Sequence, residues 1–414
     1  MERSYSAPAR IAIIGGSIAG CAAATAARRA GHDVTVYERS QGELSERGFG
    51  IAIPGDLYEE LLARAYIDTS MARRTASSGR LWLTRSPIDG GQLDLWRQPF
   101  DVVACNWGLL WASLREHVPD ETYHSGQTVT AVRRFAEGTR LRLNDGRERD
   151  FDLVIGADGY RSVIRAELAP QAKPRYAGYI LLRGTVPVDD VPDCAEAVDQ
   201  LADTAVTIGF TGGHAVIYVI PGRDGVKVNW GVYACPPEAA KVGLSTSYAP
   251  DADLSALMPW MSDVIENQFP SAWARLIRRT PEAARAIQPV FDLAVPVTAR
   301  MPYLLAGDAN TITRPHTGSG ATKALRDVLF LEDALRDSPS WQDALARYDE
   351  DRNAAGNSLV ELGRRLGKDQ VEATPDWASM NPEKMREWTQ STMAGQNLYL
   401  YQENAKQSDG AGRA

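Results

Sequence analysis

Apolar and polar positions fall into two textures along this chain. Toward both ends and again in the middle, short unbroken apolar runs stop at glycine and give way to helical spacing. The stretch from Tyr176 to Val295 instead consists of β-rich runs divided by turns. The first apolar run, Ile11-Ala12-Ile13-Ile14, breaks at Gly15-Gly16-Ser17-Ile18-Ala19-Gly20 and continues as an alanine-rich helix that Gly31 ends. A second strand, Val34-Thr35-Val36-Tyr37, finishes at Glu38, followed by Arg39. Strand, glycine turn, helix and strand-end acid make a β-α-β unit, with the carboxylate where a ribose hydroxyl needs an acceptor. Ser17 departs from the pattern, because it stands where a middle glycine lets backbone approach a pyrophosphate.

The same arrangement returns twice. Leu153-Val154-Ile155 runs into Gly156-Ala157-Asp158-Gly159 and a helix start. Tyr303-Leu304-Leu305-Ala306 delivers Gly307-Asp308, after which Arg314-Pro315-His316 leads to Thr317-Gly318-Ser319-Gly320-Ala321 at the head of a helix. The free N–H groups of such a first turn favour negative charge. Acid-bearing turns at two further strand ends are more than one dinucleotide fold needs by itself.

Between these motifs, Thr128 to Phe135, Arg140 to Leu143 and Phe151 to Ile155 read as three strands, with a hairpin turn at Asn144-Asp145-Gly146. Ile180 to Val188, Ala205 to Phe210, Ala215 to Ile220 and Val226 to Tyr233 read as an antiparallel meander, a natural substrate platform over a cofactor fold. Near the C-terminus, Trp341, Leu345, Tyr348, Ala355, Leu359, Leu362 and Leu366 keep helical spacing, the stripe of a core or of a subunit interface in a homodimer. A second helix is expected over Pro382 to Tyr401. The fold class is α/β with an inserted α+β part. Residues 1–80, 101–170 and 296–335 form the cofactor side, 81–100 and 171–295 the substrate side, 336–404 a helical region and 405–414 a disordered tail.

Bulk properties narrow the function. A net charge of −8 argues against nucleic acid or an anionic membrane as the main partner. The opening MERSYSAPAR lacks the apolar core of a signal peptide, and no run nears the roughly 18 apolar residues of a membrane span, so a cytoplasmic protein is expected. The four cysteines are scattered and the five histidines show no ligand spacing, which predicts no metal site.

GGSIAG with Glu38, the segment DLVIGADGYRSVIR and the segment AGDANTITRPHTGSG occur in this order along the whole chain. Together they resemble the single-component FAD-dependent monooxygenases of the 4-hydroxybenzoate hydroxylase fold. Ser17, Asn106-Trp107, Tyr176-Ala177-Gly178-Tyr179 with Arg183-Gly184, Asn229-Trp230 and Arg314-Pro315-His316 look like the 2,6-dihydroxypyridine hydroxylase branch. The resemblance implies a Rossmann-like FAD-binding domain with an inserted substrate sheet. It also implies NADH or NADPH as transient donor, O2, and an electron-rich aromatic or N-heteroaromatic substrate hydroxylated through a flavin C4a-hydroperoxide. An epoxidase or Baeyer–Villiger-type oxygenase, or a non-redox binding protein on the same fold, are the alternatives.

Carried over by position, Gly15, Ser17, Ile18, Ala19, Gly20, Glu38 and Arg39 would hold the ADP half of FAD. Asp158 and Gly159 would lie near the pyrophosphate and the donor's path. Gly307 and Asp308 would meet the ribityl region, with Pro315, Gly318, Ser319, Gly320 and Ala321 facing the isoalloxazine. Trp107 replaces an arginine that commonly touches the cofactor. His316 is the titratable group beside the flavin motif and, with Pro315, Arg183 and Tyr218, the candidate for substrate activation. Asn229 and Trp230 are further candidate substrate contacts, and His214, at a turn, is expected to be solvated.

Overall fold

The computed structural model describes residues 8–42, 44–45, 48–75, 79–99, 102–135, 138–238 and 255–393. A six-stranded sheet runs in the order Ala299–Arg300, Tyr303–Leu305, Leu153–Gly156, Arg10–Ile14, Asp33–Glu38, Tyr123–Ser125. Its pairings are parallel except at the edge, where Ala299–Arg300 runs against Tyr303–Leu305. The unbroken apolar runs seen in the sequence are the central strands, covered on both faces. Ile11 and Ile13 pack in one core with the alanines of the helix Ile18–Arg29 and with Leu325 and Val328 of the helix Gly320–Asp337. Ala12 and Ile14 pack in another, with Leu141, Phe151 and Leu305.

The expected third strand of the hairpin region divides in two. Glu148–Phe151 stays with Gly138–Leu143 and Val129–Phe135 in a three-stranded sheet, while Leu153–Gly156 leaves it for the parallel sheet. Asp152 marks the junction, where its carboxylate accepts from the Arg10 N–H at 2.9 Å.

A seven-stranded sheet runs in the order Arg285–Asp292, Arg175–Pro187, Gly225–Ala234, Gly213–Gly222, Ala205–Phe210, Arg80–Arg85, Gln92–Gln98. The meander supplies its middle. The segment around residues 80–98 is added through a parallel pairing of Ala205–Phe210 with Arg80–Arg85. One face buries Ile180, Leu182, Ile217 and Trp230 against the helices Met258–Gln268 and Ser271–Arg279. The other face looks toward the ends of the parallel strands. A small sheet of Gly50–Pro54, Val102–Asn106 and Arg74–Thr75 stands beside it.

The long helix Trp341–Gly367 spends its apolar stripe within the chain. Trp341, Leu345 and Tyr348 join the first core, and Leu359, Leu362 and Leu366 pack with Val102. The last described helix is Pro382–Met393; the rest of the helix expected to reach Tyr401, and residues 405–414, lie outside the described residues.

The first turn and its helix approach too closely for side chains at two glycines. A Cβ on Gly20 would stand 1.8 Å from the Gly15 carbonyl oxygen, and one on Gly15, whose φ is +97°, would stand 2.4 Å from the Ala157 carbonyl oxygen. Neither obstacle is a flexible side chain. Gly20→Ala is therefore expected to cost about 1–3 kcal/mol or more in urea unfolding, and an unchanged midpoint would show that the turn can yield.

Candidate functional site

The strands Arg10–Ile14, Asp33–Glu38, Leu153–Gly156 and Tyr303–Leu305 all end at one cavity of about 900 Å³, closed on its far side by the seven-stranded sheet. Ligands of open parallel sheets sit outside the carboxyl ends of the strands, and the three acid-bearing turns converge there. Gly15, Ser17, Ile18, Ala19, Glu38 and Arg39 line it from the first motif, Asp158 and Gly159 from the second. Gly307, Asp308, Pro315, His316, Gly318, Gly320 and Ala321 line it from the third, Trp107 from beside the turns, and Arg183 and Tyr218 from the sheet. Two expected contacts lie behind the wall. Gly20 packs on Gly15, and Ser319, buried, bonds through its N–H and hydroxyl to Thr317.

At the first turn, the Glu38 carboxylate accepts from Gly16 N at 2.8 Å and from Ser40 N at 2.7 Å. The Gly16 carbonyl accepts from Trp111 Nε1 at 2.8 Å and the Tyr123 hydroxyl at 3.0 Å. A side chain at position 16 would run into the Tyr123 ring. Ser17 makes no capping hydrogen bond to its helix, so its hydroxyl is not committed to the helix end. At the second turn, one Asp158 oxygen accepts from Val163 N at 2.7 Å and the other, buried, has no hydrogen-bond partner among the described residues. Burial raises the pKa of this carboxyl.

The third turn is gripped from one helix. Gly307, at φ +61°, donates its N–H to Asp327 at 3.0 Å, and its carbonyl accepts from Lys323 Nζ at 2.6 Å. Lys323 and Asp327 are 3.3 Å apart and both are buried. The next residue, Asp308, turns its side chain into the cavity, where the surrounding protein raises its pKa against the pull of Lys323 and Arg165. Arg165 donates to the backbone oxygens of Asp308 and Ala309. Lys323, Asp327 and Arg165 are functional neighbours that the motifs do not single out; the available signal was a Lys and an Asp four apart on one face of the helix, beside Ala324, Leu331 and Ala334.

On the substrate side, Asn106 caps the helix Trp107–Glu116, accepting from Gly108 N at 2.8 Å, and the Trp107 side chain packs against Gly48. The Arg183 guanidinium lies 4.1 Å from the centre of the Phe49 ring. Among the described residues it has neither an ion pair nor a hydrogen bond, and burial lowers its pKa. Burial pushes the Tyr218 phenol up. Asn229 accepts from Gly50 N at 2.7 Å. Its neighbour Trp230 also lines the cavity, but its side chain packs in the opposite-face core, fully buried, and donates to Thr280 Oγ1 at 2.8 Å.

His214 is not solvated. It lies within the strand Gly213–Gly222 at 1% exposure, and burial lowers its pKa to about 3. Its ring meets His316, whose pKa is also driven well down, first by burial and then by His214 and Arg314. His316 in turn meets the Tyr179 hydroxyl at 2.6 Å.

These residues fit a large anionic dinucleotide with a ring at one end. The positive-φ Gly15 leaves no room for a side chain, a buried Asp158 oxygen is unpaired among the described residues, and a helix begins at Gly320 on the cavity wall. Comparison with known proteins agrees. A family model described as FAD dependent oxidoreductase matches residues 10–122, and one described as FAD binding domain-like matches residues 176–240. The chain is 28% identical over 380 residues to a 2,6-dihydroxypyridine 3-monooxygenase of Paenarthrobacter nicotinovorans, covering 86% of this chain and 90% of that protein. It is 29% identical over 374 residues to a 3-amino-4-hydroxybenzoate 2-monooxygenase of Streptomyces cremeus, covering 87% of each. The fold matches the solved 2,6-dihydroxypyridine-3-hydroxylase from Arthrobacter nicotinovorans with a TM-score of 0.77 at 24% identity, over 91% of this chain and 97% of that one. It matches Klebsiella pneumoniae HpxO complexed with FAD and uric acid with a TM-score of 0.72 at 20% identity, over 93% and 92%.

The two buried histidines give the site an acid limit. Below their ordinary pKa of 6.5 the unfolded chain takes up protons that the folded chain refuses. Stability is therefore complete above that pH and falls as pH drops toward the folded values. The expected slope is about 1.4 kcal/mol per pH unit for each histidine. Urea unfolding between neutral pH and pH about 5 should show it. His214→Phe should remove half of the pair's share, and an identical slope in that variant would mean that His214 is solvated in the folded state.

Proposed function

We propose that this chain, a single-component FAD-dependent aromatic monooxygenase of the 4-hydroxybenzoate hydroxylase fold, hydroxylates an electron-rich aromatic or N-heteroaromatic small molecule with NAD(P)H and O2. The observation that carries the reading is one cavity lined jointly by the three cofactor-type turns and by the polar face of the inserted sheet. Bound FAD would supply the redox chemistry, taking two electrons from the nicotinamide and activating O2, so that one oxygen atom enters the ring and the other leaves as water.

The chain's own part is to bind, orient and exclude water. Glu38, already oriented by Gly16 N and Ser40 N, would accept from the adenosine ribose, with Gly15, Ser17, Ile18, Ala19 and Arg39 around the adenosine phosphate. Asp158 and Gly159 would face the pyrophosphate region, and Asp308 would take ribityl hydroxyls. Pro315 and the start of the helix at Gly318, Gly320 and Ala321 would border the flavin ring. That helix start favours a reduced, anionic ring by about 0.3–1 kcal/mol, which for a two-electron couple is about 6–20 mV. It tunes the potential and does not create the reactivity.

For the substrate, Arg183 is the decisive group. A guanidinium in a cavity without a counter-charge among the described residues favours a ligand that brings one, and a ring hydroxyl ionised beside it is the electron-rich form that oxygen transfer requires. Tyr218 and Asn229 border the same compartment. The names of the relatives span hydroxypyridine and aminohydroxybenzoate rings, which are electron-rich and carry ionisable hydroxyls.

The purified chain is expected to be yellow and to oxidise NAD(P)H faster when a hydroxypyridine or aminophenolic acid is added, with hydroxylated product formed. Absence of flavin, or flavin that a nicotinamide never reduces even with such a ring present, would overturn the reading. Asp308→Ala should lower the flavin content of the purified protein, and unchanged content removes Asp308 from the cofactor site. Arg183→Met should raise KM for the productive ring by roughly 10- to 100-fold, the worth of a hydrogen bond to a charged group; an unaltered KM would show that the guanidinium does not meet the substrate.

A further inference from the structure

Beside the loop Arg314-Pro315-His316 runs a chain of hydrogen bonds pinned at both ends. At one end Arg314 Nη1 lies 3.3 Å from the Tyr179 hydroxyl oxygen, and a guanidinium only donates. At the other, His214 Nδ1 lies 3.3 Å from the Gln370 carbonyl oxygen, which only accepts. His214 therefore carries its proton on Nδ1, and the Nε2 of the neutral ring is an acceptor. The 3.4 Å contact between His214 Nε2 and His316 Nδ1 is then filled by a proton on His316 Nδ1. That leaves His316 Nε2 bare, and the Tyr179 hydroxyl donates to it at 2.6 Å. Every proton points the same way, from the arginine to the carbonyl.

The surroundings keep both rings neutral. Both imidazoles are buried, and Tyr233 stacks on His214 with ring centres 4.7 Å apart and lies tilted against His316 at 4.2 Å. The charges facing the pair are Arg314 on the loop itself and Arg80 on the sheet, both cations. Asp292 on the edge strand and Glu372 beyond the long helix are bonded to Arg314. Space for the chain is reserved at the end of that helix, where a Cβ on Gly367 would stand 2.4 Å from the Tyr179 oxygen and 2.5 Å from Arg314 Nη1.

We infer that Tyr179, His316 and His214 form an orientation-locked neutral chain, in which Tyr179 and His214 are positioning residues for His316, and His316 holds the loop between cofactor and substrate without exchanging a proton with the substrate. A proton relay must be able to reverse its bonds. Reversal here would need the Gln370 carbonyl to donate or Arg314 to accept. Both ring nitrogens of His316 are occupied, so the expectation that it removes a substrate proton gives way to a role in place-holding. The chain instead bolts the loop to two strands of the substrate sheet, Arg175–Pro187 through Tyr179 and Gly213–Gly222 through His214.

The inference rests on the oxygenase reading only in what the loop separates, and its test reads ring nitrogens rather than turnover. With five histidines in the chain, imidazole nitrogen NMR on the full chain as purified resolves them, assigned through single variants. Both His214 and His316 are expected to be neutral with the proton on Nδ1, unchanged between about pH 5 and 8. His214→Ala should let His316 populate its second tautomer, and His214→Gln, whose side-chain oxygen can accept from His316 Nδ1, should restore the first. A wild-type His316 that titrates in this range, or carries its proton on Nε2, overturns the inference; so does a His316 signal indifferent to His214→Ala. A chain with no oxygenase activity would leave these outcomes readable, and would count against the proposed function alone.

Discussion

Gly307 is held by both atoms of its peptide hydrogen-bonding repertoire from a single helix, and the site depends on that grip. Asp327 accepts its N–H and Lys323 donates to its carbonyl, from side chains that are 1% and 2% exposed. Removing two such charges from water costs several kcal/mol per ion, and their attraction repays it only when their other bonding positions are filled. Here the backbone of the turn fills them. Loosening the turn would strand both charges, and removing either charge would free the turn. The same helix presents its first residues, Gly320 and Ala321, to the cavity, so one rigid element fixes the position of Asp308 and of the helix start that faces it.

The molecule treats its buried charges in two ways. Lys323, Asp327, Arg314 and Asp292 are satisfied within the protein and act as mortar between elements: Arg314 Nε to Asp292 at 2.8 Å ties the loop to the edge strand, and Arg364 adds a second bond to the same carboxylate. Among the described residues, Arg183 Nε and one oxygen of Asp158 have no hydrogen-bond partner on the cavity wall. Structural charges are closed circuits, and unclosed ones mark where a ligand finishes the wiring. Because the satisfied groups surround the unsatisfied ones, the latter keep their direction without a ligand to hold them.

The cofactor half of the site was legible because its chemistry is local. A strand, a positive-φ glycine and a strand-end acid are read from consecutive residues, and Gly15, Glu38, Asp158, Gly307 and Asp308 all reach the cavity on that basis. What escaped was set by residues distant in sequence. His214 looked solvated beside Gly212-Gly213, yet strand pairing to Tyr233 and cover from Gln370 bury it. Trp230 and Asn229 are adjacent, and only the register of the sheet decides which faces the ligand. The strand read from Phe151 to Ile155 belongs to two sheets, and the Asp152 side chain at the junction is spent on Arg10, the first residue of the strand that Leu153–Gly156 joins. Lys323 and Asp327 look like an exposed ion pair until the turn they grip is placed above them.

The seven-stranded sheet is stitched from segments far apart in the chain: Arg80–Arg85 lies parallel to Ala205–Phe210, and Arg285–Asp292 closes its other edge. The parallel sheet likewise waits for Leu153–Gly156 before Arg10–Ile14 gains its second neighbour. During synthesis, therefore, the apolar first strand and the Arg80–Arg85 strand leave the ribosome long before their partners exist. Loop closure over such spans is slow, and exposed strand edges meanwhile invite mispairing. The two sheets are thus interleaved along the chain, and neither can be completed from one contiguous half of it.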